Sequence, residues 1–174
     1  MKKVKALFIA FAIFATTGNT FAQSAPDMIK EWERAKAYTQ DFLNTMPDSG
    51  YAFKPTPEMR SFAQQMLHLT DVNYTFAAQA TGEKSPVEGL EKSTSDLSKA
   101  SVSKIVLDGY DFVINSIKKM KPEQLMESIK LFGRFDLTRA GVFEKAFEHQ
   151  THQRGQEVVY LRLIGVKAPQ EKLF

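Results

Sequence analysis

The stretch FEHQTHQRGQEVVYLRLIGVKAP, residues 147–169, carries the pattern that decides the fold of this 174-residue chain. In this stretch and the residues just before it, the candidate inward positions are separated by alternating steps of four and three residues, which is typical of a helix packed in a bundle. The pattern predicts a long helix that begins at Leu137 or Thr138. The middle three inward positions are polar, and burying them unpaired would cost about 1–3 kcal/mol each. The inward positions are Val142, Ala146, His149, Gln153, Gln156, Tyr160 and Leu163.

Two explanations would satisfy this polar triplet. His149 and Gln153 lie one helical turn apart, so both side chains project from one face and can share a ligand. His152 flanks that face, and His68 lies far upstream at the edge of another predicted helix. The triplet is therefore either a hydrogen-bonded polar layer that also includes Asn73 and buried water, or part of a metal site built between two helices. The spacing by itself leaves both open.

Three further long segments have helical spacing, and together with the first they predict an all-α fold, a four-helix bundle. The second helix is expected to open at Thr56, with Pro57 in its first turn, and to end at Gly82. A polar stretch rich in Ser and Lys then predicts a long crossover loop. One short extra helix is expected to start at Pro122 and to cover EQLMESIKLF. The segments in chain order are 26–46, 56–82, the loop 83–101, 101–120 and 122–132.

The amino terminus has the pattern of a secretory signal peptide. MKKVK is a short basic segment, ALFIAFAIFA is apolar, and TTGNTFAQ is rich in small residues, which predicts cleavage after Ala22 or Gln23. The apolar run is shorter than the roughly 20 residues that a membrane-spanning helix needs. We therefore expect residues 1–23 to be a signal peptide and residues 24–174 to form one domain, exported to the periplasm or secreted, with no stable membrane anchor.

Composition narrows the possible functions. Of the 23 Lys and Arg residues, three lie in the predicted signal peptide, so 20 remain against 20 acidic residues. No basic stripe is left to follow phosphates, so nucleic-acid binding is not expected. The chain has no cysteine, which excludes a cysteine nucleophile, a thiolate metal ligand and a structural disulfide.

Two segments together resemble a known family. FKPTPEMRSFAQQMLHLTDVNY (53–74), followed some eighty residues later by the stretch 147–169, is similar to the DinB/YfiT-like family of metal-dependent bundle proteins. The resemblance implies a four-helix bundle, commonly a homodimer. It also implies a divalent ion, such as zinc or nickel, held by one histidine of the second helix and a His-x3-His pair of the fourth.

Carried over to this chain, the implied metal ligands are His68, His149 and Gln153. Gln153 departs from the family pattern, which has histidine there. Because an amide oxygen is a weaker and harder donor than imidazole, we expect lower affinity for zinc or nickel. His152, which corresponds to a neighbouring family histidine, is a candidate substitute ligand.

The resemblance leaves the reaction open. One expectation is an exported metal-dependent transferase or hydrolase with an unknown small-molecule substrate. The alternative is a non-catalytic binding or structural bundle with a degenerate metal site. Arg154 is expected to form a structural ion pair or to lie near a substrate anion, and Gly155 is expected to mark a close helix crossing. Asp71 and Asn73 are candidates for orienting a ligand imidazole.

Overall fold

The computed structural model describes residues 24–174, so the predicted signal peptide lies outside the described residues. Four long helices account for most of this part of the chain, and a short two-stranded antiparallel hairpin precedes the last of them. No helix within 24–174 is both long and apolar enough to cross a membrane. The elements are α1 (Ala25–Thr45), a 3₁₀ turn (Asp48–Gly50), α2 (Phe62–Thr81), α3 (Leu90–Ser93), α4 (Lys99–Lys119), α5 (Pro122–Leu125), β1 (Ser128–Leu131), β2 (Phe135–Thr138) and α6 (Arg139–Leu163).

Contacts between the long helices define the direction of each. Trp32 packs edge-on against Phe147, and Ala35 O lies 3.4 Å from a guanidinium nitrogen of Arg154, so α1 and α6 run in the same direction. The corresponding pairs between α2 and α6 run in opposite order along the two helices: Gln65 contacts Gln153, and His68 contacts His149. Helix α4 is antiparallel to α1, since Lys36 contacts Asp111 whereas Glu33 contacts Lys118. It is parallel to α2, since Thr70 lies against Gly109 and Tyr74 against Phe112. The bundle is therefore up-down-down-up, and the segment between α2 and α4 is the crossover that the sequence predicts.

The start of α2 differs from the expected one. Ser61, not Thr56, caps this helix: its hydroxyl accepts from Gln64 N, and the Gln64 side chain accepts from Ser61 N. This reciprocal capping box satisfies two backbone donors that the first turn leaves free. The residues before it form a connection of turns that is held to the helix start, with Phe62 N donating to Phe53 O at 3.0 Å.

The short helix predicted from Pro122 also ends earlier than expected. It closes at Leu125, and the rest of the predicted segment is strand β1, which pairs with β2 in the register Leu131↔Phe135. The prediction was wrong because the residues of SIKL alternate between exposed and more buried, a period-two pattern that the sequence reading missed. This hairpin lies against α2 and α6 and forms one wall of the site described below.

The core confirms most of the predicted inward positions. Trp32, Val142, Ala146 and Tyr160 are buried, and Trp32 also meets the ring of Tyr110 at 5.8 Å. At the carboxyl end of α6 the predicted seam fails, because the Leu163 side chain is 58% exposed.

Candidate functional site

The structure brings the three implied metal ligands together. The ring centroids of His68 and His149 are 5.4 Å apart, with their planes inclined by 67°. The Gln153 amide nitrogen lies 3.1 Å from His149 Nε2. This proximity follows from the antiparallel packing of α2 on α6. His152 does not join them, because its side chain is exposed and bonds elsewhere.

A chain of three glutamines links two of the histidines. The Gln65 amide nitrogen donates to Gln153 Oε1 and, at 3.2 Å, to Gln156 Oε1. The Gln153 amide then contacts His149 Nε2, and the Gln156 amide contacts His152 Nε2 at 2.9 Å. This arrangement corresponds to the polar layer that the sequence raised as one explanation. Its central member, Gln65, was missed, although its position three residues before His68 places it on the same face of α2.

The residues expected to orient an imidazole have other roles. Asp71 accepts backbone hydrogen bonds from Leu90 at 2.8 Å and Glu91 at 3.2 Å, so it caps the short helix α3. Asn73 is fully buried, and both of its amide atoms lack a hydrogen-bond partner among the described residues. The nearest carboxylate to His68 is Glu91, whose oxygen lies 3.7 Å from Nδ1.

Burial keeps both imidazoles neutral near neutral pH. Burial first, and then the neighbouring His68, His152 and Arg60, together lower the pKa of His149 from 6.5 to about 4. The pKa of His68 is also lowered, first by burial and then by Arg60. A neutral His149 whose Nε2 accepts from the Gln153 amide must carry its hydrogen on Nδ1. That Nδ1 is buried and has no acceptor among the described residues.

These donors fit a divalent ion only in part. Two imidazoles sharing a tetrahedral zinc ion, each nitrogen about 2 Å from the metal, would have ring centroids about 5 Å apart, close to the observed separation. The third ligand is the obstacle. Gln153 turns its nitrogen toward His149 and its oxygen toward Gln65. No group of three His, Cys, Asp or Glu side chains within 24–174 is arranged to hold a metal. As the side chains stand, they do not make the three-ligand site of a catalytic zinc.

Next to this cluster, α6 buries a second polar network that includes Arg154. The guanidinium donates to Gln150 Oε1 at 2.9 Å and lies 4.5 Å from the ring centroid of Tyr38. Tyr110 OH donates to the same Gln150 oxygen. Arg154 is therefore a structural residue between α1, α4 and α6. The close crossing expected at Gly155 is wrong, because a Cβ there would meet no atom within 4 Å.

One further buried group on α6 has no partner at all. Glu157 has no exposed surface, and neither carboxyl oxygen has a hydrogen bond among the described residues. Burial raises the pKa of this carboxyl well above its ordinary value. The sequence reading missed Glu157 because it lies beside the predicted seam, although its spacing from Gln150 and Leu161, both buried, indicates an inward position.

An open cleft of about 740 Å³ lies between the β-hairpin and α6, and His149 and His152 are part of its wall. Most of the remaining wall is apolar, and two of its aromatic rings, Phe132 and Phe135, are half exposed. The sequence did not predict this cleft, because strand β1 was assigned to the short helix and no hairpin was expected. The cleft is lined by Phe76, Leu131, Phe132, Arg134, Phe135, Asp136, Leu137, Lys145, Glu148, His149 and His152.

Comparison with known proteins agrees with this architecture. A DinB-like protein from Bacillus cereus has a TM-score of 0.73 at 16% identity, covering 84% of this chain and 96% of that one. A DinB-like protein from Bacillus subtilis has a TM-score of 0.65 at 18% identity, covering 84% and 95%. A conserved protein from Enterococcus faecalis has a TM-score of 0.66 at 16% identity, covering 82% and 98%. At these identities the likeness shows the fold alone.

No curated protein matches this chain. The family model of the DinB superfamily, however, matches residues 31–156, which is more than half of the chain and includes α2 and most of α6. The family resemblance read from the two segments of sequence is thereby confirmed, as is the predicted four-helix bundle. The chain belongs to the DinB superfamily.

Proposed function

We propose that this protein is a non-catalytic DinB-like bundle that binds a small molecule in the cleft between the hairpin and α6, and that its metal site is degenerate. One observation carries the second part: the amide of Gln153, at the third ligand position, is engaged on both sides. Its nitrogen faces His149 and its oxygen accepts from Gln65. The cleft supports the first part, because ligand sites are concave, mostly apolar and about 300–1,000 Å³ in volume.

Metal binding would have to break this arrangement. To present an oxygen to an ion beside His149, the Gln153 amide must turn over, which sets its nitrogen against the nitrogen of Gln65. Unless Gln65 and Gln156 turn as well, a buried donor is left unpaired, at a cost of about 1–3 kcal/mol. The amide oxygen gained is a poorer ligand for zinc or nickel than the imidazole that the family has at this position.

A metal-dependent transferase or hydrolase is the second candidate, with His68, His149 and Gln153 as ligands of zinc or nickel. The separation of the two imidazoles favours it, as does the buried Nδ1 of His149, for which the described part of the chain offers no acceptor. If a metal is bound, its chemistry is that of a Lewis acid with an open coordination position. The residues of this chain would then hold the ion and shield it from solvent on the side of the bundle.

Metal content separates the two candidates. Protein purified without a histidine tag is analysed for zinc and nickel, and metal affinity is then measured by calorimetric titration for the natural chain, Gln153→His and His149→Ala. We expect the natural chain to hold much less than one equivalent, and Gln153→His to gain affinity by at least tenfold. One tightly held equivalent in the natural chain, lost in His149→Ala, would establish the metal-dependent candidate instead.

Export and self-association complete the proposal. The basic, apolar and small-residue segments of residues 1–23 support export to the periplasm or the medium. Mass spectrometry of the exported protein should find Gln23 or Ser24 as the first residue, and an intact Met1 would contradict the proposed cleavage.

The family resemblance supports a homodimer, which sedimentation of the mature chain tests directly. The balanced charge of residues 24–174 supports the absence of nucleic-acid binding.

A further inference from the structure

The cleft has features that select one class of ligand. We propose that it binds a small aromatic monocarboxylate, with the apolar body of the ligand against Phe132 and Phe135 and the carboxylate on Arg134. This inference rests on the proposed function, because it names the ligand class for the same cleft. It uses the hairpin and not the histidine cluster, so it does not depend on whether a metal is bound.

Aromatic rings form the apolar wall. Phe132 meets Phe76 edge-on, with ring centroids 5.4 Å apart, and its side chain remains 51% exposed. Phe135 is 50% exposed on the same hairpin. Each half-covered ring retains apolar surface that a flat ligand would remove from water, and aromatic pairs add about 0.5–1.5 kcal/mol beyond area burial. An aromatic ligand body therefore suits this wall.

The backbone at Phe132 has a strained conformation that places the phenyl ring at the cleft. Its φ is 53°, and within 24–174 no other residue except glycine has a positive φ. For a bulky side chain this left-handed conformation costs about 1–2 kcal/mol. Glycine at this position would avoid the cost, as Gly133 does beside it with φ 68°. The strained position places a large ring at the cleft, and backbone strain of this kind clusters at ligand sites.

The charges around the cleft leave one cation without a partner. Lys145 pairs with Glu148 at 2.7 Å, and the carboxylate of Asp136 pairs with Lys130 at 2.9 Å. Arg134 makes no ion pair among the described residues, and its guanidinium lies 5.1 Å from the ring centroid of Phe135. A guanidinium has a planar fork of donors that matches a carboxylate, and stacking on the aromatic ring restricts its orientation. The unpaired charge therefore favours an anionic ligand over a neutral or cationic one.

The test uses a matched pair of probes, 2-naphthoate and 2-naphthamide, which share an aromatic body and differ in charge. Binding to the mature protein is followed by calorimetry near neutral pH and low salt. We expect saturable binding of both, with naphthoate about tenfold tighter. Arg134→Gln should abolish that preference while leaving naphthamide unchanged. Arg162→Gln is the control, because Arg162 is also exposed but lies near the carboxyl end of α6, away from the cleft.

A second variant separates binding from folding. Phe132→Gly relieves the backbone strain while it removes the ring, so its unfolding temperature should stay close to that of the natural chain. Both probes should nevertheless bind at least fivefold more weakly. A variant that binds both probes as tightly as the natural chain would overturn the role of Phe132.

The outcomes distinguish this inference from the proposed function. If both probes bind with equal affinity in the natural chain, or if Arg134→Gln keeps the preference, the ligand class is wrong but a small-molecule site remains. If neither probe binds saturably, the cleft is not such a site, and both the ligand class and the small-molecule part of the proposed function fail, whereas the metal site is decided by the metal titration. A cleft covered by a second copy of the chain would also overturn the inference. Phe132→Gly would then dissociate a dimer in sedimentation while neither probe bound.

Discussion

Glu157 makes the stability of this protein depend on pH in a direction opposite to that of an ordinary paired carboxylate. Its carboxyl lies in the core with no hydrogen-bond donor among residues 24–174, and burial raises its pKa well above 4.5. The unfolded chain therefore loses this proton at lower pH than the folded chain does. Between the two pKa values the folded state binds more protons, so the free energy of unfolding falls as pH rises.

The size of the effect follows from proton linkage. For as long as the folded carboxyl keeps its proton, each pH unit above 4.5 lowers the free energy of unfolding by about 1.4 kcal/mol. The cost accumulates from pH 4.5 up to the raised pKa of the folded carboxyl, and it is set against a total of only about 5–15 kcal/mol for a typical domain. Glu157→Gln has nearly the same shape, remains neutral at all pH values and should recover most of this cost.

Urea unfolding of the natural chain and Glu157→Gln, at several pH values from 4.5 to 7.5, measures the effect. The two proteins should have nearly equal stability at pH 4.5, and the advantage of the variant should grow with pH. Glu144→Gln, an exposed position on the same helix, is the matched control and should follow the natural chain. If the natural chain and Glu157→Gln show parallel stability curves across this range, the carboxyl is not held protonated in the core and the reasoning is refuted.

Three further predictions concern the glycines and the polar chain. A Cβ at Gly109 would lie 2.5 Å from Thr70 Cγ2, so Gly109→Ala should lower the free energy of unfolding in urea by about 1–2 kcal/mol. Gly155 faces open space within a helix, so Gly155→Ala should raise that free energy by about 0.5–1 kcal/mol. The reverse order would show that the α2–α4 contact is looser than described. Gln65→Leu should lower stability by about 1–3 kcal/mol, because it leaves the buried amide oxygen of Gln153 and the half-buried one of Gln156 without their donor, and unchanged unfolding would refute the glutamine chain. The pKa of His149 is about 4 in the folded chain and 6.5 in the unfolded chain, so the free energy of unfolding should fall by an amount on the order of 2–3 kcal/mol as the pH falls from 6.5 toward 4. In a Glu157→Gln background, His149→Gln should remove this loss of stability. A loss that remains in the double variant would point to another group.

Much of the fold could be predicted from periodicity. The four-and-three spacing along α6 correctly indicated a bundle helix, and the polar, Ser-rich segment correctly indicated a crossover. The family motif placed His68 and His149 on two helices that do meet. The helix boundaries were less predictable. Threonine and serine both commonly cap helices, so the sequence allows α2 to start after Thr56 or after Ser61. Only the backbone contacts of residues 51–63 show that Ser61 is the cap.

The candidate site was predictable in its members but not in its bonding. The spacing shows that His149 and Gln153 share a face, yet it carries no information on Gln65, which reaches them from another helix. The orientation of the Gln153 amide depends on that contact. The same contact therefore decides whether the Gln153 oxygen is available as a metal ligand. The cleft was missed altogether, because SIKL was assigned to a short helix and the last helix was expected to begin at Leu137 or Thr138, which left no hairpin.

The amino-acid sequence by itself determined the number of long helices, the family and the absence of cysteine chemistry. It also determined that polar residues lie in a core-facing seam. These features were predictable because helical periodicity and composition are local properties. Only the tertiary structure decided how those polar residues are satisfied, why Glu157 finds no partner within the described residues and where an aromatic hairpin opens a cleft. These outcomes depend on which side chains meet across helices distant in the chain, and on whether each buried donor finds an acceptor, which no local pattern contains.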